Sequence, residues 1–110
     1  MRVDIRVISE ANTQCHWAVR QKRFKAQRLA VRSKLNRRMK PSPPLIVKLT
    51  KFGCGILDTD NLAGSFKAVR DEIAKWLGVD DGDTSVKYEY SQVKAKRGIH
   101  YIDIDIINSI

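Results

Sequence analysis

Alternation of apolar and polar residues predicts strands in four parts of the chain. The opening MRVDIRV places aliphatic side chains between charged ones, which is the period of a strand with one buried face. The same alternation occurs in VKYEY (86–90) and IHYIDIDI (99–106), and the loop KAKRG is predicted to join these two strands as a hairpin. LIVKLTKF (45–52) begins with a nearly continuous apolar run, which is typical of an interior strand.

A helical period replaces this alternation between residues 13 and 40. At about 100° per residue, four large apolar side chains fall within a narrow sector of the helical wheel, and we expect them to pack into the core: Trp17, Phe24, Val31 and Leu35. PSPP (41–44) follows. Because proline lacks an amide donor and disfavours helical angles in the residue before it, one long helix is predicted to end near Lys40.

A second amphipathic helix is predicted to begin near Asp60 or Asn61, both favourable N-caps, and to stop at Gly78. Its apolar side chains recur mostly every three or four residues: Leu62, Phe66, Val69, Ile73, Trp76 and Leu77. The predicted order is β-α-β-α-β-β. This is an α/β (α+β mixed) fold class, in which two helices cover a small mixed β-sheet, and the 110 residues suffice for a single domain, 1–110.

The formal net charge of +9 is unevenly distributed along the chain. Residues 11–40 contain ten basic and no acidic residues, whereas residues 58–83 contain seven acids against three bases. A helix this basic repels itself without a counter-ion, so we expect it to bind a polyanion such as DNA. The basic residues predicted to contact DNA are Arg20, Lys22, Arg23, Lys25, Arg28 and Arg32.

Several classes of protein are disfavoured by composition. Cys15 and Cys54 lie far apart without paired spacing, so neither a disulfide framework nor a zinc site is indicated. His16 and His100 are isolated, which favours surface or packing roles over general-base catalysis. No apolar run approaches the length of a membrane span and the first residues do not resemble a signal segment, so we expect a cytoplasmic protein without a membrane partner.

Two sets of acids flank the second predicted helix. Asp58 and Asp60 follow the second strand, where they either cap the helix or hold a cation between them. Asp80 and Asp81 lie beyond the other end of the helix, where a polar turn is the simplest interpretation. A helix of about 17 residues separates its ends by roughly 25 Å. The two sets therefore meet only if the third strand begins beside the end of the second.

Three segments between Ile46 and Val93 carry a family pattern: LDTDNL, FKAVRDEIAKWLGVDD and TSVKYEYSQV. This order of D-x-D-N-L, helix, D-D turn and strand resembles that of the RusA-type Holliday junction resolvases over about half of the chain. The resemblance implies a small mixed α/β domain that acts as a homodimer and gathers aspartates around Mg²⁺, or alternatively Mn²⁺, to hydrolyse DNA phosphodiesters. Carried onto this chain, the metal ligands are Asp58, Asp60 and Asp81 with Asp80 beside them, and Lys67 is a provisional phosphate-facing cation.

The sequence thus predicts a divalent-metal-dependent endodeoxyribonuclease for branched DNA of the Holliday junction type, with a bacterial or prophage origin implied by the resemblance. Mg²⁺ prefers hard oxygen ligands and keeps several waters, so two or three carboxylates would leave positions for a phosphate oxygen and an attacking water. Two alternatives stay open. One is a non-catalytic nucleic-acid-binding protein that retains the fold, and the other is a basic assembly protein of a phage-like element.

Overall fold

The computed structural model describes residues 1–9, 17–80 and 82–109. In order along the chain, its elements are β1 (Arg2–Val3), α1 (Trp17–Leu35), β2 (Leu45–Gly53), α2 (Thr59–Ser65), α3 (Lys67–Leu77), β3 (Val86–Lys94) and β4 (Tyr101–Asn108). The strands form one mixed sheet in the order β1-β4-β2-β3. The predicted α+β fold, a small mixed sheet covered by helices, is confirmed. Residues 13–16 of the first predicted helix and the predicted ligand Asp81 lie outside the described residues.

β2 is an interior strand, as predicted. It pairs in parallel with β3 and antiparallel with β4. The predicted hairpin between β3 and β4 is therefore wrong, because β2 lies between them and residues 95–100 cross its end, where Ala95 N donates to Gly53 O at 2.8 Å. β2 has more fully buried side chains than its two neighbours, and the central position buries the most apolar surface.

The alternation along β2 assigns its two faces to different environments. Leu45, Val47 and Leu49 are fully buried, whereas Lys48 between them is exposed on the opposite face. The buried face packs against the helices in one core, whose largest fully buried side chains outside β2 are Val3, Val7, Val31, Leu35, Phe66, Val69, Ile73, Ile102 and Ile104. The helices thus cover one face of the sheet, and Lys48 is exposed on the other.

α1 ends at Leu35 rather than near Lys40. Leu35 is its last buried residue, and turn-type bonds such as Arg38 N to Leu35 O at 3.0 Å then replace the helical ladder. Burial is confined to the C-terminal half of α1, at Gln27, Val31 and Leu35. Trp17, predicted to pack into the core, is 72% exposed, so that prediction is wrong. Helical spacing placed Trp17 on the correct side of the wheel, but the fold buries only the later turns of α1.

The second predicted helix is two helices. Phe66 separates α2 from α3 with φ −95° and ψ 9°. Kinks of this kind occur at Gly/Ser pairs, and here Gly64 precedes Ser65, whose Oγ donates back to Leu62 O at 2.6 Å and competes with the helical ladder. The predicted stop at Gly78 is confirmed, because it adopts the left-handed conformation with φ 75° that glycine tolerates best.

Candidate active site and nucleic-acid interface

Asp58 is the N-cap of α2, two residues before the predicted start. Its Oδ1 accepts a hydrogen bond from Asn61 N at 2.9 Å, and its Oδ2 accepts one from Asn61 Nδ2 at 3.0 Å. An ionised carboxylate has about four lone-pair positions, so these two bonds leave acceptor capacity on an exposed group. Capping and ligand binding are therefore compatible at Asp58.

The segment just before Asp58 is fixed to the sheet by Gln92 of β3. Leu57 N donates to Gln92 Oε1 at 3.0 Å, and Gln92 Nε2 donates to Leu57 O at 2.7 Å. Asp60 follows in the first turn of α2 and is exposed. Within the described part of the chain, its carboxylate has no hydrogen bond or ion pair. The segment that carries the two acids is thus fixed to the sheet. Asp58 is held by its capping hydrogen bonds, and the carboxylate of Asp60 is exposed to solvent.

The register of the two parallel strands decides where the second set of acids lies. β2 and β3 run side by side from Leu45 opposite Val86 to Gly53 opposite Lys94. Nine residues of strand span about 26 Å. Because Gln92 holds the segment that leads into Asp58, the acid pair lies near the C-terminal ends of both strands.

Asp80 lies at the other end of these strands. Its carbonyl oxygen accepts from Asp83 N at 3.0 Å, and Ser85 O accepts from Leu45 N at 2.8 Å, at the start of β2. The structure therefore does not bring Asp80 to Asp58 and Asp60 within one chain. The condition set by the sequence, that the third strand begin beside the end of the second, is not met. In residues 1–9, 17–80 and 82–109, no group of three His, Cys, Asp or Glu could hold a metal ion.

Lys67, the predicted phosphate-facing cation, opens α3. Its Nζ lies 3.2 Å from Asp71 Oδ2, in an exposed pair one turn apart on the same helix. Such pairs contribute at most about 1 kcal/mol, so the pair would not prevent Lys67 from binding a phosphate. Since the break at Phe66 precedes it, Lys67 belongs to a different helix from the acid pair.

The six predicted DNA contacts on α1 differ in environment. Lys22 and Lys25 are exposed, while Arg20 and Arg23 are half-buried. The last two, Arg28 and Arg32, are turned toward α3, where they form the ion pairs with Glu72 that hold the two helices together.

A basic cleft of about 310 Å³ lies between α1 and α3. Its charged lining consists of four bases and one acid, and the acid, Asp71, is already paired with Lys67. Arg28 and Arg32 share Glu72, so within the described residues the lining bases outside an ion pair are Lys25 and Lys75. Their positive charge raises the local concentration of anions, which suits the cleft to a phosphate. The four bases are Lys25, Arg28, Arg32 and Lys75.

Two charged residues that matter in the structure were not singled out in the sequence. Glu72 lies between Val69 and Ile73 on the apolar side of α3. Lys51 is only 8% exposed, and the alternation of Leu49 and its neighbours extends to position 51. Burial lowers the pKa of Lys51, an effect that the Cys54 thiol opposes and the positive charge of Arg6 reinforces. A charge at an inward position of a periodic pattern was the available signal in both cases.

Comparisons of the chain with protein-family models, curated proteins and solved structures found no match. Of the helices in the described ranges, none is long and apolar enough to cross a membrane.

Proposed function

We propose that this protein is a divalent-metal-dependent endodeoxyribonuclease that cuts branched DNA as a homodimer. The observation that carries the proposal is the pair Asp58 and Asp60, which is exposed and anchored at the point where the chain leaves the central strand and enters α2. The D-x-D-N-L motif is intact there. The small mixed sheet with helices on it is also the architecture that the resemblance to RusA-type resolvases implies.

The proposal requires two chains at each site. Asp58 and Asp80 lie near opposite ends of the parallel strand pair, so the carboxylates of these two residues cannot share an ion within one chain. A second chain related by a two-fold axis and running in the opposite direction would bring its Asp80 end to the Asp58 end of the first. The same operation creates a second, equivalent site. Two equivalent sites suit the two symmetric cuts that resolve a junction.

The chemistry follows from the donor set. Carboxylate oxygens are the ligands that Mg²⁺ prefers, and when bound the metal supplies an activated water and neutralises charge that develops on the phosphate. Asp58, held in place by Asn61, and Asp60, open to solvent, would hold the ion together with the partner's acids at 80–81. The basic cleft between α1 and α3 would bind phosphates of the flanking DNA.

The direct test is cleavage of a synthetic four-way junction by the purified protein with Mg²⁺ or Mn²⁺, and with EDTA as the metal-free control. We expect metal-dependent cleavage that Asp60→Asn abolishes. Asp105→Asn is the matched control, since it removes the same charge from an exposed position on β4. Cleavage by Asp60→Asn at the wild-type rate, or cleavage unaffected by EDTA, would overturn the proposal.

A second candidate is a non-catalytic nucleic-acid-binding protein. It is favoured by the lack of a metal-binding group among the residues described in one chain, together with the basic cleft. This candidate predicts DNA binding that weakens steeply with salt, no effect of Mg²⁺ or Mn²⁺ on affinity, and no cleavage. The slope of log K against log salt is negative, and replacing the exposed Lys22 and Lys25 by Gln should reduce its magnitude by about two.

A further inference from the structure

A second, smaller cavity of about 130 Å³ lies at the C-terminal end of β2. It is separate from the cleft between α1 and α3, with which it shares no lining residue. The cavity is lined by Arg6, Val7, Ile8, Ser9, Lys51, Gly55, Leu57 and His100.

Lys51 supplies the buried positive charge of this cavity. Its side chain enters from the helix-facing side of β2, and its Nζ donates one hydrogen bond to Gly55 O at 2.6 Å. A lysine ammonium has three donors, so two remain for a ligand. A buried lysine is costly unless its charge and its donors are satisfied.

Two further residues with basic side chains, His100 and Arg6, line the cavity. A Cβ placed on Gly53 would lie 3.0 Å from Lys51 Nζ and 3.3 Å from His100 Nδ1, so the ammonium and the imidazole are close neighbours on one side of Gly53. Arg6 lines the cavity from the segment after β1, and its charge acts on Lys51. Among the lining residues that the structure describes, none is an acid. The lining residues that the structure describes therefore bring the positive charges of Lys51 and Arg6 to the cavity and no carboxylate.

The cavity lies beside the acid pair Asp58 and Asp60. Gly55 and Leu57 form part of its wall, and Asp58 is the next residue along the chain. Leu57 is also the residue that Gln92 fixes to β3, so the cavity and the acid pair share one anchored segment.

We propose that this cavity binds a phosphate group of the DNA backbone, held by Lys51, Arg6 and His100 beside the acid pair. A backbone phosphate has two non-bridging oxygens that can accept from the donors of these side chains, and its negative charge is opposite to those of Lys51 and Arg6. Binding of the oxyanion rests on the cavity alone. Its assignment to DNA rests on the proposed function.

The first experiment measures anion binding without DNA or metal. Thermal unfolding is followed in EDTA with inorganic phosphate, and with chloride at equal ionic strength. Phosphate should raise the Tm of the wild type, because a ligand that binds only the folded state stabilises it. The rise should be smaller in Lys51→Gln than in Lys48→Gln, which removes the same charge from an exposed position on the opposite face of β2, because phosphate bound in the cleft between α1 and α3 stabilises both variants alike. An equal rise in the two variants would overturn the assignment to this cavity. Arg6→Gln, at an exposed position, should diminish the rise and replaces Lys51→Gln if that variant does not fold.

The second experiment distinguishes a backbone phosphate from a free one. Affinity for a four-way junction is measured in EDTA as a function of salt. The magnitude of the negative slope of log K against log salt should be smaller by about one in Lys51→Gln than in Lys48→Gln. An unchanged slope with phosphate stabilisation intact would assign the cavity to a free phosphate and overturn the DNA assignment. No phosphate stabilisation of the wild type would overturn the proposal as a whole. Cleavage that depends on Asp60 would survive either result, so a failure here is distinct from a failure of the nuclease proposal.

Discussion

Glu72 Oε1 lies 3.1 Å from Arg32 Nη2, and this contact joins α3 to α1. Arg28 Nε approaches the same oxygen at 3.3 Å, while the Glu72 side chain is only 3% exposed. The basic helix α1 is thus bound to α3 by an acid from the acid-rich segment 58–83. Part of the charge segregation seen along the sequence is cancelled in the structure, and the exposed positive charge is carried by residues such as Lys22 and Lys25.

Removing the charge of Glu72 should destabilise the protein. Glu72→Gln keeps the shape of the side chain but weakens its bonds to both arginines, so we expect a loss of about 1–3 kcal/mol in the free energy of unfolding. Urea denaturation measures this loss. Glu89→Gln, an exposed position on β3, is the control and should stay within about 0.5 kcal/mol of the wild type. Equal stability of the two variants would contradict a structural role for the pair.

The same contact predicts how stability depends on pH. Burial alone would raise the pKa of Glu72, but hydrogen bonds from Arg32 and Arg28, together with their charges, outweigh it and hold the pKa below its usual range. The ionised Glu72 therefore contributes fully to the free energy of unfolding above the ordinary glutamate pKa of about 4.3. This contribution is lost as the pH falls through the lower pKa that Glu72 has in the folded state. The difference in unfolding free energy between wild type and Glu72→Gln should shrink between pH 7 and pH 3. A difference that stays constant would contradict the prediction.

Local patterns predicted most of the fold, because the period of each segment follows from which face is buried. The three longer strands and the stop at Gly78 are of this kind. Local patterns do not predict which strands pair with each other. Nothing in β3 or β4 alone states that β2 lies between them, since pairing depends on the burial of the whole sheet. Trp17 was misplaced for the same reason, because periodicity shows which side of a helix is apolar but not how far a neighbour covers it.

The candidate site was predictable in its residue types but not in its geometry. The spacing of Asp58 and Asp60 marks a helix start and a hard-oxygen donor pair without any knowledge of the fold. Whether Asp80 joins them depends on the direction of β3 relative to β2, which no local pattern specifies. Lys51 could have been noticed as a cation at an inward position, but its cavity is built by segments distant along the chain.

A site shared between two chains predicts complementation between inactive variants. Asp60→Asn and Asp81→Asn should each abolish cleavage, since each removes a ligand from both sites of a homodimer. In a mixed dimer, one site carries both substitutions and the other carries none. Random mixing of the two variants should restore about a quarter of the wild-type sites, measured as nicking of a four-way junction after joint refolding. No recovery, although mixed dimers are demonstrated to form, would mean that each site draws its ligands from a single chain.

Asp58 has two roles that different substitutions can separate. As the N-cap of α2 it accepts from Asn61 N, and as a proposed ligand it contributes negative charge. Asn is as good an N-cap as Asp, so Asp58→Asn should keep the wild-type free energy of unfolding to within about 0.5 kcal/mol, while Asp58→Ala should lose about 1 kcal/mol. Both variants should lose junction cleavage, because neither supplies a carboxylate. If Asp58→Asn cleaves at the wild-type rate while Asp58→Ala is merely less stable, Asp58 is a helix cap alone, and the metal would have to be bound without it.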